Sequence, residues 1–279
     1  MPFEVLTLVI FAGSFGAGLF GALLGLGGGV IIVPFLTLGL GIPIQAAAGA
    51  SIVSVIATSS GAAAAYVRDR LTNIRIGMFL ELATTTGALA GAFLAGIVSV
   101  KSLYILFALI MLYSAWSMFR KRKSELPDVK EGDPLAEKLK LNADYYDPKL
   151  GATVHYKVDG VLAGFGLMGF AGLIAGLLGI GNGAFKVLAM DSAMKLPMKV
   201  STATSNFMIG VTAAGSASIY FARGDIQPEI AAPVALGVLA GAVAGTRVMS
   251  RVKSSTLRLI FVPVVIWISA QMLLKGVSM

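Results

Sequence analysis

Ten apolar runs, most of them about as long as a bilayer is thick, leave this chain few folds to choose from. They fall at 5–24, 30–42, 46–67, 76–98 and 102–119, then at 158–178, 184–194, 199–222, 229–249 and 255–275. A backbone in hydrocarbon must satisfy its own hydrogen bonds, so runs of this length predict helices; barrel strands would read as shorter alternations. Composition agrees. The chain of 279 residues is 57% apolar and 13% charged, against about 45–50% and 25% in soluble domains. A soluble fold could not hide that surface. These figures exclude a soluble globular protein, a disordered chain and a nucleic-acid-binding domain. The expected class is all-α: a polytopic integral membrane protein.

Charge is concentrated in one interval. Residues 120–157 hold nine Lys/Arg and seven Asp/Glu, leaving thirteen and seven for the other 241 residues. This predicts a first membrane repeat at 1–119, a solvated linker at 120–157 and a second repeat at 158–279. Tyr145, Tyr146 and Tyr156 could pack the linker against the membrane face. The N-terminal run is preceded by Glu4 and no basic residue, so it reads as a retained span, not a cleaved signal.

The halves resemble each other. A shift of 154 aligns 20–66 with 174–220 without a gap, with twelve of 47 positions identical, among them Gly25, Gly27, Gly29, Pro43, Ser51, Thr58 and Tyr66. Further on, the run from Gly87 matches the run from Gly237. Internal duplication is the usual architecture of secondary transporters. With the linker cytoplasmic and the halves inverted, Arg68, Arg70, Arg75, Lys195, Lys199, Arg247, Arg251, Lys253 and Arg258 lie inside; Glu4, Lys101, Arg223, Asp225, Glu229 and Lys275 lie outside. A parallel arrangement would put Lys195, Lys199, Arg247, Arg251 and Lys253 outside, against the positive-inside rule. The expectation is two inverted repeats, each a glycine-broken helix hairpin plus three transmembrane helices, with both termini extracytoplasmic.

Two glycine clusters interrupt the apolar pattern: Gly25, Gly27, Gly28 and Gly29 in the first half, Gly179, Gly181, Asn182 and Gly183 in the second. Glycine costs about 1 kcal/mol in a helix interior relative to alanine, so a cluster predicts a break. At matching places in inverted halves such breaks mark a substrate site, where half-helix N-termini face an anion. The competing role is tight helix packing.

GALLGLGGGVIIVPFL in the first half, with GLLGIGNGAFKVLAMD and LPMKVSTATSNFMIG in the second, resembles the sulfite exporter TauE/SafE family, also called toluenesulfonate uptake permeases. The resemblance covers both membrane halves. It implies a prokaryotic cytoplasmic-membrane protein moving sulfur-containing anions such as sulfite, thiosulfate or organosulfonates. The chain departs from the family pattern at Asn182, where a glycine is usual, and in its longer linker.

Polar residues follow each break. Ser51 and Thr58 share one helix face, and Ser205, Asn206 and Thr212 lie on the matching helix. Hydroxyl and amide donors suit a dehydrated oxyanion that must also leave; interhelical hydrogen bonding is the alternative. Intramembrane charge is rarer. Lys186 could contact an anion, pair with Asp191 or snorkel outward. Glu81 could pair with Arg75 or Lys199, or carry protons. The candidate site is thus Gly25, Gly27, Gly28, Gly29, Ser51, Thr58, Gly179, Gly181, Asn182, Gly183, Lys186, Ser205, Asn206 and Thr212, with Glu81 for proton coupling.

With no Cys and a single loop histidine, His155, the sequence lacks the parts of a thiol or metal enzyme. No cofactor or metal is expected. The expected partners are a small anion and the lipid bilayer. The function expected is secondary transport; a passive anion channel and a membrane scaffold are the alternatives.

Overall fold

Apolar helices pair off in this chain according to where they fall in each half. A computed structural model describes residues 3–24, 28–120, 132–147, 151–181, 183–249 and 254–278. The first half comprises α1 (Phe3–Leu24), α2 (Gly29–Pro34), α3 (Ile44–Arg68), α4 (Ile74–Ala95) and α5 (Val100–Arg120). The second comprises α7 (Val161–Leu178), α8 (Gly183–Leu188), α9 (Met198–Ala222), α10 (Pro228–Met249) and α11 (Ser254–Ser278). Each expected apolar run is found as a helix, within a few residues. Three helices are long and apolar enough to cross a bilayer, at Glu4–Gly21, Ile74–Ala95 and Val161–Leu178, among the described residues.

The second run of each half is a short helix. α2 continues as a π-helical turn at Phe35–Gly39, and α8 as one at Ala189–Ala193. Each segment has eleven residues and so rises about 16 Å, half the roughly 30 Å of a hydrocarbon core. α2 folds back along α1: a Cβ on Gly28 would lie 3.7 Å from Ala17 O, and one on Gly13 would strike the ring of Phe35. These segments enter the bundle and do not cross it.

Packing exchanges between the halves. α1 packs mainly on α10, α7 on α4, α3 on α9 and α5 on α11. Glycines permit the closest crossings. A Cβ on Gly87 would fall 2.1 Å from Gly169 O and 2.9 Å from Leu173 N; one on Gly241 would fall 2.0 Å from Phe15 O and 2.9 Å from Leu19 N. Those partners are related by the same shift of 154. Gly87 therefore corresponds in space to Gly241, one turn beyond the Gly237 that sequence matching selects. Where apolar surface meets lipid equally well on either side, such close backbone approach is what holds helices together.

α3 and α9 run antiparallel. Gly49 abuts the backbone of Asp225, while Gly210 abuts Ser59. The two helices related by the sequence repeat thus point in opposite directions.

Part of the charged interval is folded. Asp133 caps α6 (Pro134–Lys138), its Oδ1 accepting from Leu135 N at 2.8 Å and its Oδ2 from Val161 N at 2.9 Å. Strands β1 (Ala143–Asp147) and β2 (Ala152–Tyr156) pair antiparallel, Ala143 opposite Tyr156. Ala136, Leu141 and Val158 join a buried cluster with Ile76, Leu80, Met190 and Met194. Tyr145 is buried and packs near Tyr156, whereas Tyr146 is exposed. Two of the three tyrosines thus help seat this module, which docks on the ends of α4, α7 and α8.

Candidate functional site

The two helix breaks meet at the level of the middle of α3. Gly28 has φ 74° and precedes α2. Gly29 opens α2, and a Cβ there would stand 2.6 Å from Ser51 Oγ and 3.5 Å from the Cα of Ile180. In the second half Gly179 closes α7 in the left-handed conformation, φ 66°, with its N–H on Ala175 O. Its backbone is pressed against Ala48, leaving no room for a side chain. Gly179 is therefore a helix cap and a packing glycine together. Gly181 lies beyond it, with Ile209 and Val55 where its Cβ would be. Gly183 opens α8, and its carbonyl accepts from Ser205 Oγ at 3.3 Å. Gly25, Gly27 and Asn182 lie outside the described residues.

The N-termini of two half-helices thus converge, one on each side of this contact. The first amides of a helix have no partner within it and carry its positive dipole end.

Beside them lies a buried chain of polar groups. Lys186 is fully buried, and its Nζ donates to Thr212 Oγ1 at 2.5 Å. Thr212 Oγ1 lies 2.6 Å from Glu81 Oε1 and 2.8 Å from Met208 O. A hydroxyl has one proton, so it donates to one of these at a time. Thr85 Oγ1 donates to the same Glu81 Oε1 at 2.7 Å. Glu81 Oε2 is buried without a hydrogen-bond partner, and so is Ser51 Oγ.

This arrangement links the two charges to each other. Lys186 and Glu81 face one another through Thr212, on α8, α4 and α9. Arg75 turns away and donates to Lys140 O at 3.1 Å. Lys199 stands thirteen residues from Thr212 along α9, about 20 Å by helical rise.

A cavity of about 10 Å³ opens between α3, α7 and α9, lined by Ile52, Val55, Gly181, Ile209, Thr212 and Ser216 among others. That is room for about one water. The site is drawn tight around the two breaks.

Other candidates are held elsewhere. Thr58 Oγ1 bonds Ser54 O at 3.0 Å within its own helix, and Asn206 Nδ2 bonds Thr202 O at 3.0 Å. Thr85 joins the buried polar chain and Ser216 lines the cavity, and neither is among the sequence candidates. Each stands four residues along a helix from a candidate, Thr85 from Glu81 and Ser216 from Thr212, which is the spacing that would have found them.

A helical bundle with apolar outer faces, half-length helices and a buried lysine and glutamate bridged by a threonine is the build of a multi-pass membrane transporter. The profile described as Sulfite exporter TauE/SafE matches residues 10–272, and the chain belongs to that family. It is similar to Probable membrane transporter protein YunE of Bacillus subtilis (strain 168), 25% identical over 268 residues, covering 94% of this chain and 95% of that one. It is also similar to Probable membrane transporter protein YdhB of the same organism, 24% identical over 224 residues, covering 80% and 82%. No solved structure matches it.

Proposed function

We propose that the chain is a secondary transporter of small sulfur-containing anions such as sulfite, thiosulfate or organosulfonates, bound where the two half-helices meet. The observation that carries this reading is the convergence of Gly29 with Gly181 and Gly183 beside the buried Lys186. Amide donors, the free Ser51 hydroxyl and one ammonium make a site that holds an oxyanion without wrapping it in charge. The present cavity has room for about one water and an oxyanion needs more, so binding requires the α3–α9 contact to open. Rocking of one helix bundle on the other would expose the site to each side in turn.

The antiparallel course of α3 and α9 supports inverted repeats, and the positive-inside bias supports a cytoplasmic linker with both termini outside, in a prokaryotic cytoplasmic membrane. Because the chain has no cysteine, single cysteines report topology cleanly. Lys138→Cys should label from the cytoplasm and Ser278→Cys from outside; labelling of both from one side overturns the inversion.

Substrate is tested in proteoliposomes with sulfite, thiosulfate, sulfoacetate, taurine and sulfate, with and without a pH gradient. The reading expects saturable uptake of at least one sulfur anion, lost in well-folded Gly181→Val. Unitary currents in place of saturable uptake would establish a channel. Unchanged affinity in a folded Gly181→Val would remove the site from this position.

A further inference from the structure

We propose that the site takes up one proton with each monovalent anion, and that Glu81 Oε2 receives it; this rests on the anion site proposed above. Lys186 is fully buried, Glu81 is 6% exposed, and Thr212 joins them. In the empty site the ammonium and carboxylate balance. An anion seated at Gly29 and Gly181 becomes a second negative charge facing a single ammonium. A buried charge without a counter-charge is strongly unfavourable, so the surplus must be neutralised.

The carboxylate has one oxygen suited to this. Oε1 is occupied by the hydroxyls of Thr85 and Thr212, at 2.7 and 2.6 Å, while Oε2 is buried with no partner. The proton comes from bulk water, a new O–H bond forms at Oε2, and the total charge of the site is restored. A lone unpartnered oxygen accommodates a proton; a sodium ion needs several oxygen ligands around it.

The surrounding charges leave Lys186 as the counterpart. α4 packs on α7 and α9. α7 carries no ionisable residue, and α9 carries Lys199 and Tyr220, thirteen and eight residues from Thr212. Asp191 lies beyond α8, five residues past Lys186. Arg75, in the first turn of α4, donates to Lys140 O, and Arg223 donates to Ala92 O at the other end of that helix.

The test uses the purified full chain and methanesulfonate, which keeps one negative charge at all working pH values. Binding is followed by calorimetry in buffers of different protonation enthalpy. The expected result is uptake of about one proton per anion, with affinity falling about tenfold per pH unit over that range. Glu81→Gln, neutral already, should bind with no proton uptake and no pH slope, and at pH 9 at least tenfold more tightly than the unaltered chain. Should that variant not accumulate, Glu81→Gln combined with Lys186→Met keeps the site neutral. The pair should bind at least tenfold more weakly, again without a pH slope. Methanesulfonate binding without proton uptake, proton uptake persisting in either variant, or a requirement for sodium overturns the coupling and leaves the anion site standing. Failure of methanesulfonate and of every sulfur anion above to bind overturns the anion site, and the coupling with it.

Discussion

The two half-helices occupy matching places and carry opposite chemistry. Under the shift of 154, Ile32 of α2 corresponds to Lys186 of α8, and both are fully buried. Ile32 sits in an apolar cluster with Val33, Leu36 and Phe107. Lys186 instead reaches Thr212 and Glu81. The stretch of α10 that corresponds to Glu81, Ala231–Ala235, contains no ionisable residue. The duplication thus supplies a scaffold twice and the charged chemistry once. Buried charge at both places would double the desolvation cost.

Making the halves alike is the most damaging way to test that contrast. Ile32→Lys buries an ammonium without a partner, and Lys186→Ile leaves Glu81 as an unpaired carboxylate. Each should cost about 3–5 kcal/mol, seen as a large fall in melting temperature or failure to accumulate. Lys186→Ile combined with Glu81→Leu should recover most of the stability, since apolar replacement of a buried pair is often neutral, and yet remain transport-dead. Recovery of transport in the pair would show that the charges serve only folding.

The breaks themselves differ next. Gly28 and Gly179 both have positive φ, but a Cβ on Gly28 meets Val238 at an ordinary 3.5 Å, while one on Gly179 falls 2.6 Å from Ala48 O. Gly28→Ala should cost only the backbone strain of its positive φ, about 1–3 kcal/mol. Gly179→Ala adds a clash with backbone that cannot move aside, and should separate α3 from α7 with a distinctly larger loss of thermal stability. Equal losses would mean that the α3–α7 contact is soft.

A smaller effect comes from the loops that join the third and fourth helices of each half. In the second half, Arg223 pairs with Asp225, bonds the Ala92 carbonyl and stacks on Tyr220, so that loop ties itself to the bundle. In the first half, Asn73 is held from outside the repeat: its Nδ2 donates to Leu141 O and to Tyr156 Oη, each at 2.9 Å, while Thr204 Oγ1 accepts from its N–H at 3.0 Å. Burial pushes the Tyr156 hydroxyl up to about 12, against an ordinary 10.0. The folded chain therefore keeps this proton where the unfolded chain has released it, so stability present below pH 10 is lost as pH rises towards 12. The loss is on the order of 2 kcal/mol. Melting curves of Tyr156→Phe should lack that part of the alkaline decline.

Much of this was legible in the sequence, for reasons that differ by region. The helices were readable because lipid enforces long uncharged runs, and the breaks because several glycines within five residues cannot continue a helix. Lys186 and Glu81 stood out because buried charge is rare. Their meeting was not readable, since it depends on α4 and α8 approaching the same turn of α9. The folded linker module was hidden by its own charge: Leu141, Val158 and Tyr145 are too few to form an apolar run, yet they suffice to dock it. The one-turn displacement of Gly87 relative to Gly237 was invisible for a related reason, because a small-residue pattern repeats along a helix and only the crossing partner fixes its register.

The smallest contrast is between Ser51 and Ser205, which the shift of 154 superimposes. Both are buried, but Ser205 Oγ donates to Gly183 O at 3.3 Å while Ser51 Oγ has no partner. Removing a satisfied hydroxyl costs about 1 kcal/mol, whereas removing an unsatisfied buried one relieves a desolvation cost. Ser205→Ala should therefore lower thermal stability slightly, because the first turn of α8 loses its tie to α9. Ser51→Ala should leave stability unchanged or raise it. If Ser51 waits for the anion, the same substitution should weaken binding by about 1 kcal/mol, roughly fivefold. Stability and affinity would then move in opposite directions, which a packing role for Ser51 does not produce. A Ser51→Ala variant that is no less stable and binds the anion as well as the unaltered chain would remove Ser51 from the site.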